Sequence, residues 1–225
     1  MKNIFFVCLL SFCAVVSAAD YAALMKEAKA AAKKKNVPVA SEKYKQAYKA
    51  AATTEQRYNA VMEYGDFLRF NKKAKVMVEL IDAELRKDEY TNSQRQRMLW
   101  LQALPYMWGK QHDYALDKFN TAMAMKGAPK SGILYGKIVE YAAKIYDYHK
   151  KDYATVIHLL EPQVKLQTTA YMLESLYPML ANAYFKLGKK EEALKNYQQA
   201  LHYAKKMKKK TASIEKRIKE LSDAK

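Results

Sequence analysis

Four histidines, at 112, 149, 158 and 202, are the side chains of this 225-residue chain most suited to proton transfer or metal binding. A metal site needs ligands that converge, and no two of these histidines have the paired spacing that would bring them together on one element. His112 and His149 fall in expected turns and read as solvated; His158 and His202 fall on expected helices and read as surface residues. The neighbouring carboxylates Glu191 and Glu192 open a helix, where they complement its dipole rather than form an acid–base pair. Neither a glycine-rich phosphate loop nor a nucleophile elbow occurs. Cys8 and Cys13 both lie in the first apolar stretch, so the rest of the chain has no thiol nucleophile or thiolate ligand. These residues point away from an enzyme, a metal or a cofactor, and toward a chain that works by presenting a surface.

The elements that would present it are written as a phrase repeated five times. A small or slender residue is followed twelve or thirteen residues later by another, then by a bulky residue and usually an alanine. It reads Ala28, Ala40, Tyr44, Ala47; Met62, Ala74, Val78, Ile81; Ala103, Ala115, Phe119, Ala122; Ala143, Val156, Leu160, Gln163; and Ala181, Ala193, Tyr197, Ala200. A period near 34 residues built from two helical halves defines a repeat array. In the fifth unit Tyr177, Leu180, Ala181 and Tyr184 share one helical face, Gly188 closes that helix, and Ala193, Tyr197 and Ala200 mark the inner face of a second. Alanines let two helix axes approach, tyrosines fill the space beside them, and each pair leaves an apolar surface that only the next can cover. The units lie near 21–54, 55–88, 96–129, 136–170 and 174–207, with one extra residue expected in the turn of the fourth and Pro162-Gln163 in its second helix.

These residues resemble the tetratricopeptide repeat (TPR). The family's places 4, 7, 8, 11, 15, 20, 24 and 27 are met by Tyr177, Leu180, Ala181, Tyr184, Gly188, Ala193, Tyr197 and Ala200, and the third unit follows with Leu99, Ala103, Tyr106, Ala115, Phe119 and Ala122. The resemblance implies an all-α fold: a right-handed α-solenoid of about five TPR-like helical hairpins over 19–208, with 209–225 as a C-terminal capping helix and tail. It also implies a concave groove lined by the first helix of each hairpin. Carried onto this sequence, that face takes Trp100, Leu104, Met107 and Trp108 as an apolar anchor. Asn59, Lys144 and Asn182 supply polar and electrostatic contacts. The pattern with which some family members clamp a C-terminal carboxylate is not met, since Met25 and Ala60 stand where its polar groups would be wanted.

The two ends carry signals of their own. Lys2, the apolar run Ile4 to Val16 and the small residues Val16-Ser17-Ala18 describe a secretory signal peptide over 1–18, too short to span a bilayer. Phe12 before Cys13 is too bulky for a lipoprotein cleavage site, so soluble export to the periplasm or the exterior is expected, with no transmembrane segment in the mature chain. At the other end an apolar seam runs through Ala200, Ala204, Met207, Thr211, Ile214, Ile218 and Leu221. It reads as a cap on the array or, alternatively, as one long helix pairing with another copy in a homo-oligomer.

Formal charge is +17, or +16 without Lys2, and the basic residues are overwhelmingly lysine, with arginine only at 57, 69, 86, 95, 97 and 217. Such a surface attracts acidic partners or anionic envelope surfaces, while the scarcity of arginine speaks against specific nucleic-acid recognition. The expected function is a non-enzymatic scaffold that binds a peptide or helix of a partner protein in its groove. The alternative is an envelope-associated structural protein that adheres to anionic surfaces through lysine, above all Lys205 to Lys210.

Overall fold

A computed structural model describes residues 18–167 and 169–223, and these residues divide into two units at Lys72 and Lys73. The expected leader, 1–18, lies outside the described residues except for Ala18, where the first helix begins. Among the described residues every regular element is helical, and no helix is long and apolar enough to cross a membrane.

The first unit holds α1 (Ala18–Lys33), α2 (Val37–Ala50) and α3 (Thr54–Phe70). Ala28, Ala40 and Ala47 are fully buried, so the α1 and α2 backbones pack with only methyl groups between them. Tyr44 fills the space toward α3, its ring 5.7 Å from Tyr64 and 5.2 Å from Phe67. Each of the two later helices starts on a cap: Asn36 accepts from the Val39 amide and Thr53 from the Gln56 amide.

The second unit holds α4 (Ala74–Leu85), α5 (Asn92–Trp108), α6 (His112–Ala124), α7 (Gly132–Ile145), α8 (Tyr153–Leu166), α9 (Ala170–Lys186), α10 (Lys190–Lys206) and α11 (Ala212–Asp223). Helix α5 packs on α6, α7 on α8 and α9 on α10, while α5 touches α7 and α7 touches α9. The first helices of successive pairs therefore lie side by side. Gly136 sits against this seam: a Cβ there would meet the flexible end of the Met172 side chain of α9 at 2.7 Å.

Three places depart from the repeat phrase. In α4 the buried positions are Met77, Ile81 and Glu84, whereas Ala74 and Val78 are only half-buried. The second sequence repeat thus runs three residues later than its expected register, with buried Gly65 rather than Met62 falling at its small place on α3. The turn explains the shift: Lys72 has φ 58 and precedes Met77 by the same interval that separates Lys35 from Ala40 and Lys110 from Ala115. The fully buried Glu84, where other pairs carry alanine or glutamine, is held by Lys87 Nζ at 2.5 Å and accepts from the Tyr90 hydroxyl.

In the fourth pair the extra residue is not in the turn. It is absorbed as a π-helical turn, Tyr146–Lys150, at the end of α7. At the C-terminus α10 stops at Lys206, and the separate helix α11 folds back onto α10. Leu221 is buried and Ile214 and Ile218 pack on the core shared by α8, α9 and α10. The seam is therefore a cap whose apolar side is turned onto its own chain, and not one continuous helix.

Candidate functional site

The exposed edges of α5, α7 and α9 form one face of the second unit. At its centre is a cleft of about 310 Å³ lined by Arg97 and Trp100 of α5 and by Ile133, Leu134 and Lys137 of α7. Ile133 is 54% exposed and sits against Trp100 in the cleft lining, so the two make one apolar patch. Trp100 is half-buried, and its indole Nε1 is shielded from solvent without a hydrogen-bond acceptor among the described residues. An unmade hydrogen bond of this kind costs roughly 1–3 kcal/mol. Arg97 is exposed and makes no ion pair among the described residues.

Beside the cleft, the face is organised around one carboxylate. Glu140 of α7 is 2% exposed and accepts from Lys137 Nζ at 2.7 Å and Lys144 Nζ at 2.6 Å. Burial pushes its pKa up, but hydrogen bonds from Lys137, Lys144 and the Ser175 hydroxyl of α9 outweigh that and hold it below the usual carboxylate range. Lys137 also lies 4.9 Å from the centre of the Tyr171 ring, which is 47% exposed on α9. Burial alone would depress its ammonium pKa; the hydrogen bonds and charge of Glu140 turn the shift upward. The outcome is a positive surface between Trp100 and Tyr171, with the Glu140 carboxylate sunk beneath its lysines.

The residues expected from the sequence are only partly brought together. Trp100 lines the cleft; Met107 and Trp108 do not, although Trp108 is 52% exposed further along α5. Leu104 must be corrected: at 2% exposure it belongs to the core, because α4, α6 and α7 all pack on α5 and cover more of its circumference than one partner helix would. Lys144 is engaged by Glu140. Asn182 is exposed on α9, and its Oδ1 accepts from the Tyr197 hydroxyl. Asn59 lies in the first unit, exposed on α3, with its amide donating to Glu55 at 3.1 Å.

A second cluster was missed by the sequence. His112 and His149 stack with ring centres 3.6 Å apart, and Lys150 Nζ bridges to Asp113 at 2.5 Å beside them. Burial first, then the His149, Lys150 and Lys110 charges, push the His112 pKa down against the opposing pull of Asp113. Its position as the first residue of α6 acts in the same direction, since a cation is unfavourable at a helix N-terminus. The repeat register held the signal: one histidine precedes and the other follows the turns of successive pairs, which such an array sets side by side.

At the sequence level no family model and no curated protein matches this chain. Solved structures do. A MamA protein aligns over 83% of this chain and 92% of its own with a TM-score of 0.61 at 16% identity. Nearly identical TPR-like repeats from Podosopora anserina, described as those of a kinesin light chain, cover 83% and 95% with a TM-score of 0.61 at 19% identity. BtubC (BKLC) from P. vanneervenii covers 90% and 84% with a TM-score of 0.61 at 13% identity. The chain has the TPR-like repeat fold. Within that all-α solenoid class, α5, α7 and α9 are the first helices of repeats, and Trp100 stands at a place that the family resemblance assigns to the groove.

Proposed function

We propose that this protein is a non-enzymatic interaction scaffold that holds a peptide or helix of a partner protein along the face formed by α5, α7 and α9. The observation that carries this reading is the cleft itself. The Trp100 ring and the exposed Ile133 make an apolar seat, and Arg97 and Lys137 flank it with positive charge. An apolar partner side chain seated against Trp100, with a main-chain carbonyl or carboxylate toward Arg97, uses both features. Met107 and Trp108 extend the contact along α5 and contribute less, since neither is part of the seat. Lys144 contributes charge while held by Glu140, and Asn59 and Asn182 serve as outlying polar contacts. The leader-like first 18 residues favour a meeting in the periplasm or outside the cell.

Selection of random dodecapeptides on immobilised protein, followed by titration of a selected peptide against intrinsic fluorescence, tests the reading. The expected outcome is an enriched apolar–acidic consensus whose binding shifts tryptophan emission. Binding without any change in emission would place the site elsewhere.

A further inference from the structure

The groove leaves unused the most strongly charged part of the chain. Between residues 205 and 220 there are eight basic and two acidic side chains. Both acids are already engaged: Glu215 by Lys205 at 3.5 Å, and Glu220 by Arg217 at 2.8 Å and Lys216 at 3.9 Å. Lys206, Lys208, Lys209 and Lys210 are exposed and have no ion-pair partner among the described residues. They are not a loose tail. The Lys208 amide donates to Lys205 O at 3.0 Å and the Lys209 amide to Ala204 O at 2.9 Å, the paired bonds of a Schellman turn. Lys208 occupies its left-handed position with φ 53, where glycine is the less strained choice. Helix α11 then folds back and fixes the far side of the turn through Leu221.

We propose that this corner between α10 and α11 is an electrostatic docking surface for an anionic lipid bilayer. Charge complementarity carries the assignment, and the chemistry of the corner selects the occupant. Lysines are compact, strongly hydrated charges suited to a field of headgroups, whereas bidentate phosphate capture needs the arginine fork. Arg217, the arginine present, is paired with Glu220 and lies 5.4 Å from the Phe185 ring. The tyrosine nearest the corner, Tyr203, is half-buried and stacked on Tyr177, and the exposed ring beside it is the small His202 imidazole, set edge-on to Tyr203, a poor platform for a base. An acidic protein segment would find no apolar anchor, because Ile214, Ile218 and Leu221 all face inward.

The test is co-sedimentation of protein starting at Ala18, which retains every described helix, with vesicles of phosphatidylcholine alone or with about one third phosphatidylglycerol. Binding is expected only to the anionic vesicles, falling steeply as salt rises. Each lysine at the surface contributes roughly fivefold in affinity, so Lys208→Gly combined with Lys209→Ala and Lys210→Ala should weaken binding by roughly a hundredfold. Lys208→Gly alone should weaken it about fivefold while the protein melts at or above the wild-type temperature, which separates loss of charge from loss of fold. As a control of equal charge, Lys33, Lys34 and Lys35 in the first unit are changed to Ala, which should cost less than about fivefold. Equal loss in this control, binding to neutral vesicles, no binding to anionic ones, or tighter binding to an oligonucleotide than to vesicles would each overturn the proposal.

Discussion

The α7–α8 and α9–α10 pairs follow one plan and are held together by different means. In α9–α10 the interface is Ala181, Ala193 and Ala200 with Tyr197 and Tyr184, all buried, and the turn between them is Gly188 at φ 74. In α7–α8 the corresponding helix ends in a π-helical turn, its turn residue is Lys151 at φ 56, and its outer side carries Glu140 sunk between two lysines. The regular pair is optimised for stacking. The irregular pair buries a charge and carries one ring of a histidine stack, and it is the one that contributes Ile133 and Lys137 to the proposed groove. Regularity in this chain marks structure, and departure from it marks the candidate sites.

Four changes would break or sharpen that contrast. The largest effect is expected in the regular pair: Tyr197→Ala removes a ring that is 2% exposed and should destabilise the protein by roughly 3–5 kcal/mol in denaturant unfolding. Glu140→Ala leaves two ammonium groups without their partner. Both lysines retain some access to water, so the loss should be about 1–3 kcal/mol, with Glu140→Gln recovering part of it.

A smaller effect concerns pH. The folded-state pKa of His112 is depressed, so the fold favours the neutral imidazole. This contribution is fully present above the ordinary value of 6.5 and is lost as pH falls from there through the lowered value. The melting temperature should therefore drop on acidification below about 6.5, and His112→Gln should flatten that slope; an unchanged slope would remove the stack from the account. The smallest effect is a reciprocal one at the turns. Lys151→Gly should stabilise and Gly188→Lys destabilise by about 1 kcal/mol each, because both sites need a left-handed backbone.

Much of the fold could be read from the sequence because the stacking positions need small residues at fixed intervals. Ala28, Ala103, Ala115, Ala181 and Ala200 are all fully buried, as their spacing implied. The register of the second repeat is hidden in the sequence because Ala74 imitates a stacking alanine, while the buried place belongs to the larger Met77. Site residues were harder to place, since exposure depends on neighbours distant in sequence. Trp100 and Leu104 sit one turn apart on one helix, yet the covering of α5 by its neighbours leaves the first in a cleft and sends the second to the core. Glu140 and its lysines lie on one helix at spacings of three and four, so that network was available to a reader of helical geometry. The histidine stack joins residues 37 apart, so its signal lay in the repeat register and not in the spacing along any one helix.

The central claim is that the cleft at Trp100 seats a partner segment, and the direct measurement is the affinity of one selected peptide for the wild type, Trp100→Ala, Arg97→Glu and Trp108→Ala, each shown by its melting curve to be folded. A seat at this cleft predicts a loss of roughly thirtyfold or more for Trp100→Ala, the scale of an interface hot spot. It predicts a clear loss for Arg97→Glu and a change within about threefold for Trp108→Ala, since truncating most contacts outside the seat costs under 1 kcal/mol. Undiminished affinity of folded Trp100→Ala would contradict it.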